Sequence, residues 1–313
     1  MKKMMLMVPL LLAAMQALSW GFYAHRLVNY YAVFLLPPEM MILYKPNILF
    51  ISEHAVDPDK RRYAVKEEGA RHYIDLDSYG KYPYDGLPRK WADAVKKYAE
   101  DSLKAHGIVP WHIEVMLGRL TKAFEEKDKA KILKLSAEVG HYVADSHVPL
   151  HASSNHNGQF TNQRGIHGFW ESRIPELLAE TEWSFLAGRA VYVSKPLEYC
   201  WKKVLESGRQ ADTVLRLEKK LSEHFPADAR YAFEKRNGII VKQYSDAYAR
   251  AYNEVLAGMV ERRLVESIHD IACIWYTAWV NAGQPDLRQL AGGETTADEE
   301  REFEELNKKW REG

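Results

Sequence analysis

Apolar residues recur every three to four positions along most of the 313-residue chain, the period of a helix buried on one face. Phe22 to Leu36 follows this period and stops at Pro37-Pro38. Trp111 to Glu126 and Ala130 to Val148 read as two helices parted by the charged turn at Lys127-Asp128-Lys129, the second ending before Pro149. Ser153 to Gly165 is polar and loop-like, and Ile166 to Glu180 returns to a helix broken near its middle by Pro175. Further helices are expected over Pro196 to Ser207, Asp212 to Phe225 and the long run Val241 to Ala282. In that run Tyr244, Tyr248 and Tyr252, then Ile268, Ile271, Trp275 and Trp279, are spaced for one buried face. Strand signals are scarce and no repeat is evident. The expected fold class is all-α, a single mostly helical domain.

The two ends depart from this pattern. Lys2 and Lys3, the apolar run Met4 to Ala14 and the small-residue border Ala17-Leu18-Ser19 have the layout of a secretory signal over residues 1–19. The apolar run is short for a membrane span, so cleavage after Ser19 with no stable membrane insertion is expected, giving an exported, periplasmic or secreted protein. Residues 291–313 are strongly charged and read as a solvated tail, leaving 20–290 as the domain. Lys plus Arg and Asp plus Glu each number 43, so net charge is zero and binding of nucleic acid or membrane by charge alone is disfavoured. Cys200 and Cys273 can pair or remain two semi-buried thiols.

The chemistry concentrates in His, Asp and Glu of the first half. In "GHYVADSHVPLH" His141 and Asp145 stand four apart, on one helix face, with His151 just past the Pro149 break. In "GIHGFWES" His167 and Glu171 repeat that spacing. Asp57 in "EHAVDPDKRR" and His72 in "RHYIDLD" come earlier. One such pair is as well explained by a local salt bridge. Two pairs from separate helices can build a polynuclear site in a bundle, and imidazole with carboxylate suits zinc.

These residues resemble, in order and spacing, the ligands of the superfamily that joins zinc-dependent bacterial phospholipases C with single-strand-specific zinc nucleases. Trp20 followed by His25, Asp57, His72-Tyr73-Ile74-Asp75, His141 with Asp145, Pro149 and His151, and His167 with Glu171 carry the resemblance. It extends over "GIVPWHIE" and, more weakly, "DIACIWYTAWVNAG". Trp91-Ala92-Asp93 falls in the wrong order and reads as a surface helix. The resemblance implies a trinuclear zinc cluster in a cleft between helices. Asp57, His72, His141 and Asp145 would hold the first zinc, and His151, His167 and Glu171 the second. Trp20, through its free amine and carbonyl, would hold the third with His25, Asp145 bridging. The cut after Ser19 would then complete the site.

Such a cluster suits hydrolysis of phosphate esters by metal-activated water. Asp57 and Lys60 are the expected catalytic pair, Lys60 as the cation offsetting phosphate charge, though a solvated charge in Asp59-Lys60-Arg61-Arg62 is its plain alternative. Tyr73 and Asp75 are expected at the substrate, and His147 resembles a further contact position. The expected activity leans nuclease-like, on single-stranded nucleic acid or nucleotides; a phosphodiester substrate is the expected partner, and no protein partner is expected. The alternatives are a phospholipase C acting on phospholipid head groups, to which Glu171 points, and an exported zinc-binding protein without turnover. Against the phospholipase, Tyr23 and Pro58 stand where its choline-binding residues belong. His54, His106, His112, His156, His224 and His269 fit no ligand position.

Overall fold

The computed structural model describes residues 21–236 and 238–292; the leader, Trp20 and residues 293–313 of the tail lie outside the described residues. The helices that build the core and the site are α1 (Phe22–Ala32), α2 (Pro38–Tyr44), α3 (Ile48–His54), α4 (Asp57–Arg61), α5 (Trp91–Tyr98), α6 (Val109–Glu125), α7 (Lys129–Asp145), α8 (Ile174–Glu182), α9 (Pro196–His224), α10 (Asp246–Val255) and α11 (Met259–Asn281). The fold is mostly helical, as expected, with one two-stranded antiparallel hairpin, β1 (Tyr231–Arg236) and β2 (Ile239–Tyr244). No helix among the described residues is long and apolar enough to cross a membrane.

The larger apolar core lies where α11 packs on α1, α6 and α7. Trp275 and Tyr44 are fully buried there, and both polar tips are paired: Trp275 Nε1 donates to the Ser136 carbonyl, and the Tyr44 hydroxyl meets Ser136 Oγ. A smaller core gathers Phe169, Trp170, Leu178, Val214, Tyr248 and Tyr252. The tyrosine spacing thus locates a buried face for Tyr248 and Tyr252, both on α10. Tyr244 instead closes β2 and stacks on Phe169, ring centroids 3.8 Å apart.

Three boundaries differ from the sequence expectation. Pro196 to His224 is one unbroken helix, where two were expected over Pro196 to Ser207 and Asp212 to Phe225. Gly208 serves packing: a Cβ there would lie 2.6 Å from Leu76 Cδ1, so only glycine lets this turn of α9 seat against the His72–Leu76 segment. The break near Pro175 comes earlier, as a π-helical segment at Phe169–Arg173 that carries Glu171; Pro175 sits harmlessly in the first turn of α8. The expected run Val241 to Ala282 is divided: residues 256–258 part α10 from α11, and Val241 to Tyr244 is strand, not helix. Its sequence signal was Asn237-Gly238 between alternating residues, the strongest short hairpin signature. Cys200 and Cys273 are both buried free thiols, and Val191 N donates to Cys273 Sγ. Trp91-Ala92-Asp93 opens the exposed α5, with Asp93 paired to Lys96.

Candidate metal centre

α7 supplies the floor of the site. Its first turn is capped by Asp128, whose carboxylate accepts from Lys131 N, and its last turn places His141 above Asp145. Gly140 lets α1 approach closely, since a Cβ there would overlap Asn29 Oδ1 at 2.1 Å. The His25 ring on α1 consequently stacks on the His141 ring with centroids 3.9 Å apart. The turn Pro149–Ala152 and the His72–Ile74 segment lock each other: His151 Nδ1 donates to the His72 carbonyl and Ile74 N donates to the His151 carbonyl. The Phe169–Arg173 segment is held from below by the hairpin, because buried Arg173 bonds Glu234, Asp246 and the Tyr244 carbonyl.

These elements bring together three donor groups: Asp59, His72 and His141; His25, His141 and Asp145; and His151, His167 and Glu171. In the first, His72 Nδ1 lies 2.9 Å from His141 Nε2 and 3.0 Å from Asp145 Oδ2, and His141 Nε2 lies 3.3 Å from Asp145 Oδ2. Asp59 Oδ1 is 3.8 and 3.9 Å from the two imidazole nitrogens. In the third, His151 Nε2 is 3.2 Å from His167 Nε2, and Glu171 Oε2 is 3.5 and 2.7 Å from them. Ligands around a tetrahedral ion with ~2.0 Å bonds are about 3.3 Å apart, so these spacings are those of a ligand shell. His25 Nε2 sits between Asp145 Oδ1 at 3.4 Å and Glu171 Oε1 at 3.3 Å, joining the groups.

The donor chemistry also fits a cation. His141, His151 and His167 direct Nδ1 at the carbonyls of Ala55, His72 and His156, which fixes the proton there and leaves Nε2 as a lone pair. The Nε2 atoms of His151 and His167 then face each other across 3.2 Å, close enough to share a proton or a cation. His25 Nδ1, His72 Nε2 and Asp145 Oδ1 are buried without a hydrogen-bond partner. Of these, Asp145 Oδ1 faces the donor groups, and a buried orphan of that kind costs about 1–3 kcal/mol, more for a charged group, which a cation would offset. Burial alone would raise the Asp145 carboxyl, yet His141, His151 and His72 hold it well below the usual carboxylate range. Glu171 behaves likewise: burial opposes ionisation, and His167, His151 and His25 override it. Burial pulls His151 down, but Asp145 and Glu171 together raise it to about 9. A divalent cation entering here would displace that proton.

The structure corrects the expected first ligand. Asp59, not Asp57, faces His72 and His141. A helix turns about 100° per residue, so positions 57 and 59 on α4 point to nearly opposite sides. Asp57 turns outward to His54 Nδ1 at 2.5 Å and Lys60 Nζ at 3.0 Å, and Lys60, three residues on, shares its outer face with 54 % side-chain exposure. His147 also points away, held between the Val143 carbonyl and the Asp270 carboxylate. Tyr73 and Asp75 flank His72 on the same segment, half-buried. The Tyr73 hydroxyl donates to the Ala105 carbonyl, and Asp75 lies 3.8 Å from His106, its carboxyl pushed up to about 6 by burial and by Asp77. Trp20 lies outside the described residues. Asp59→Asn is therefore expected to cost the first metal position, with more than about 100-fold weaker metal retention. Asp57→Asn removes only the partly exposed pairs with His54 and Lys60 and is expected to change stability by under about 1 kcal/mol and metal retention not at all. Metal analysis after dialysis against a chelator separates the two.

The chain matches no protein-family model and no curated protein.

Proposed function

We propose that the protein is an exported zinc-dependent phosphodiesterase, a nuclease-like member of the zinc phospholipase C and single-strand nuclease superfamily that its ligand sequence resembles. The observation that carries the reading is a graded exposure across linked donor groups. His25, His72, His141 and Asp145 are at most 3 % exposed, whereas His167 in the His151–His167–Glu171 group is 28 % exposed. A site for binding alone is closed by protein ligands; His151 and Glu171 are buried, and the group reaches solvent through His167, as the first does through Asp59 at 21 %, which leaves room for substrate.

Asp59, His72, His141 and Asp145 would hold the first zinc, His151, His167 and Glu171 the second, and His25 with the Trp20 amine and carbonyl the third. Bound zinc supplies Lewis-acid activation of water and of the phosphoryl group. The chain's own contribution is orientation and charge. Asp145 spans two donor groups and fixes their separation. Arg62, three residues after Asp59 and with Nη1 3.4 Å from its Oδ1, takes the cationic role expected of Lys60. Its charge is felt by Tyr73 and by His156, whose ring is pushed down first by burial and His167. Asp75, its carboxyl pushed up to about 6 by burial and Asp77, stands two residues from Tyr73, where it can hydrogen-bond a base edge or face a cationic head group.

The test is hydrolysis of single-stranded nucleic acid, phosphatidylcholine and a generic aryl phosphodiester by one zinc-loaded preparation. Preferential cleavage of the nucleic acid is expected. Preference for phosphatidylcholine would move the assignment to phospholipase C. Turnover of none, with zinc bound, would overturn catalysis.

A further inference from the structure

His72 is turned the opposite way from the other ring ligands. His141, His151 and His167 each give Nδ1 to a backbone carbonyl and offer Nε2 to the site. His72 instead offers Nδ1, toward His141, Asp145 and Asp59. Its Nε2 is buried with no hydrogen bond, and the group facing it, at 3.6 Å, is Oε1 of Glu68. Glu68 is itself wholly buried. Its Oε2 accepts from Arg61 Nε at 2.8 Å and Arg71 Nη1 at 2.6 Å, and its Oε1 accepts from the Tyr142 hydroxyl. Arg61 reaches on to Glu138 on α7 at 2.8 Å. The carboxylate is thus pinned by elements that themselves carry ligands: Arg61 lies two residues after Asp59, and Tyr142 follows His141.

We infer that Glu68 is a positioning residue of the metal centre, receiving the Nε2–H of His72 and so turning the His72 Nδ1 lone pair to the first metal position. The inference rests on the metal-centre reading and deepens it. Burying a carboxylate between two guanidinium groups is no efficient route to stability, since desolvation offsets most of the attraction. It does provide a fixed acceptor behind a ring that has no backbone carbonyl there. Carboxylate–histidine–metal relays of this kind typically set 10–100-fold of metal affinity.

Glu138 supplies the control, because it shares Arg61 but does not touch His72. Zinc-loaded wild type, Glu68→Gln and Glu138→Gln are dialysed against a graded chelator series, with zinc per chain measured at each step. Glu68→Gln is expected to release one zinc per chain at roughly 10–100-fold lower chelator strength, the rest unchanged. Glu138→Gln is expected to follow wild type. Wild-type retention by Glu68→Gln, or equal losses in both variants, would overturn the positioning role and leave a purely structural network. A wild type that holds no zinc would instead overturn the metal centre, and the inference with it. Nitrogen-15 NMR of zinc-loaded wild type needs no variant: His72 is expected to carry its proton on Nε2, and His141, His151 and His167 on Nδ1. A proton on Nδ1 of His72 would overturn the inference.

Discussion

Asp145→Asn is expected to strip the chain of most of its zinc and lower hydrolysis by more than about 100-fold, while the fold persists. Its two oxygens face four imidazoles: Oδ1 lies 3.4 Å from His25 Nε2 and 3.8 Å from His151 Nδ1, Oδ2 3.0 Å from His72 Nδ1 and 3.3 Å from His141 Nε2. Losing that charge removes a donor from two positions at once, so the effect exceeds the 10–100-fold typical of outer-shell partners. Asp270 is the matched comparison, equally buried and paired with His147 and Lys203 but remote in role. Asp270→Asn is expected to lower thermal stability and spare zinc retention. Metal analysis and melting curves on both variants distinguish the outcomes, and full zinc in Asp145→Asn would contradict the bridging role.

The second large effect concerns the proposed start of a processed chain at Trp20. Gly21, the residue after Trp20, lies against the cluster: a Cβ built on it would sit 3.5 Å from Glu171 Oε1. One alanine added before Trp20 converts the proposed ligand amine into an amide, whose nitrogen lone pair is committed to resonance. The extended protein is expected to hold one zinc fewer and to lose activity with its melting behaviour otherwise near that of the mature form. Unchanged zinc and activity would remove the amine from the site and, with it, the link between processing and completion of the cluster.

Much of this centre was legible because helical spacing is rigid. His141 with Asp145 and His167 with Glu171 are forced onto common faces by four-residue steps, and Pro149 opens the tight turn Pro149–Ala152 that brings His151 back after α7 has ended at Asp145. The Asp57 assignment failed for the same physics: counting residues toward His72 favoured it, but the handedness of a five-residue helix decides which acid faces inward, and only packing against α7 sets that phase. Glu68 carried no motif, since its role appears only once Arg61, Arg71 with His72, and Tyr142 are assembled from three places in the chain. The gap expected between Ser207 and Asp212 is absent because Gly208 packs against Leu76, a contact that sequence alone does not reveal. The hairpin was overlooked despite Asn237-Gly238, and it proves to brace the segment that carries Glu171.

Zinc stoichiometry of the mature chain, purified without added chelator and measured by elemental analysis, tests the central claim most directly. Close to three zincs per chain, removable by chelator with parallel loss of hydrolysis and restored together on adding zinc, is the result this account predicts. One zinc or none would contradict it.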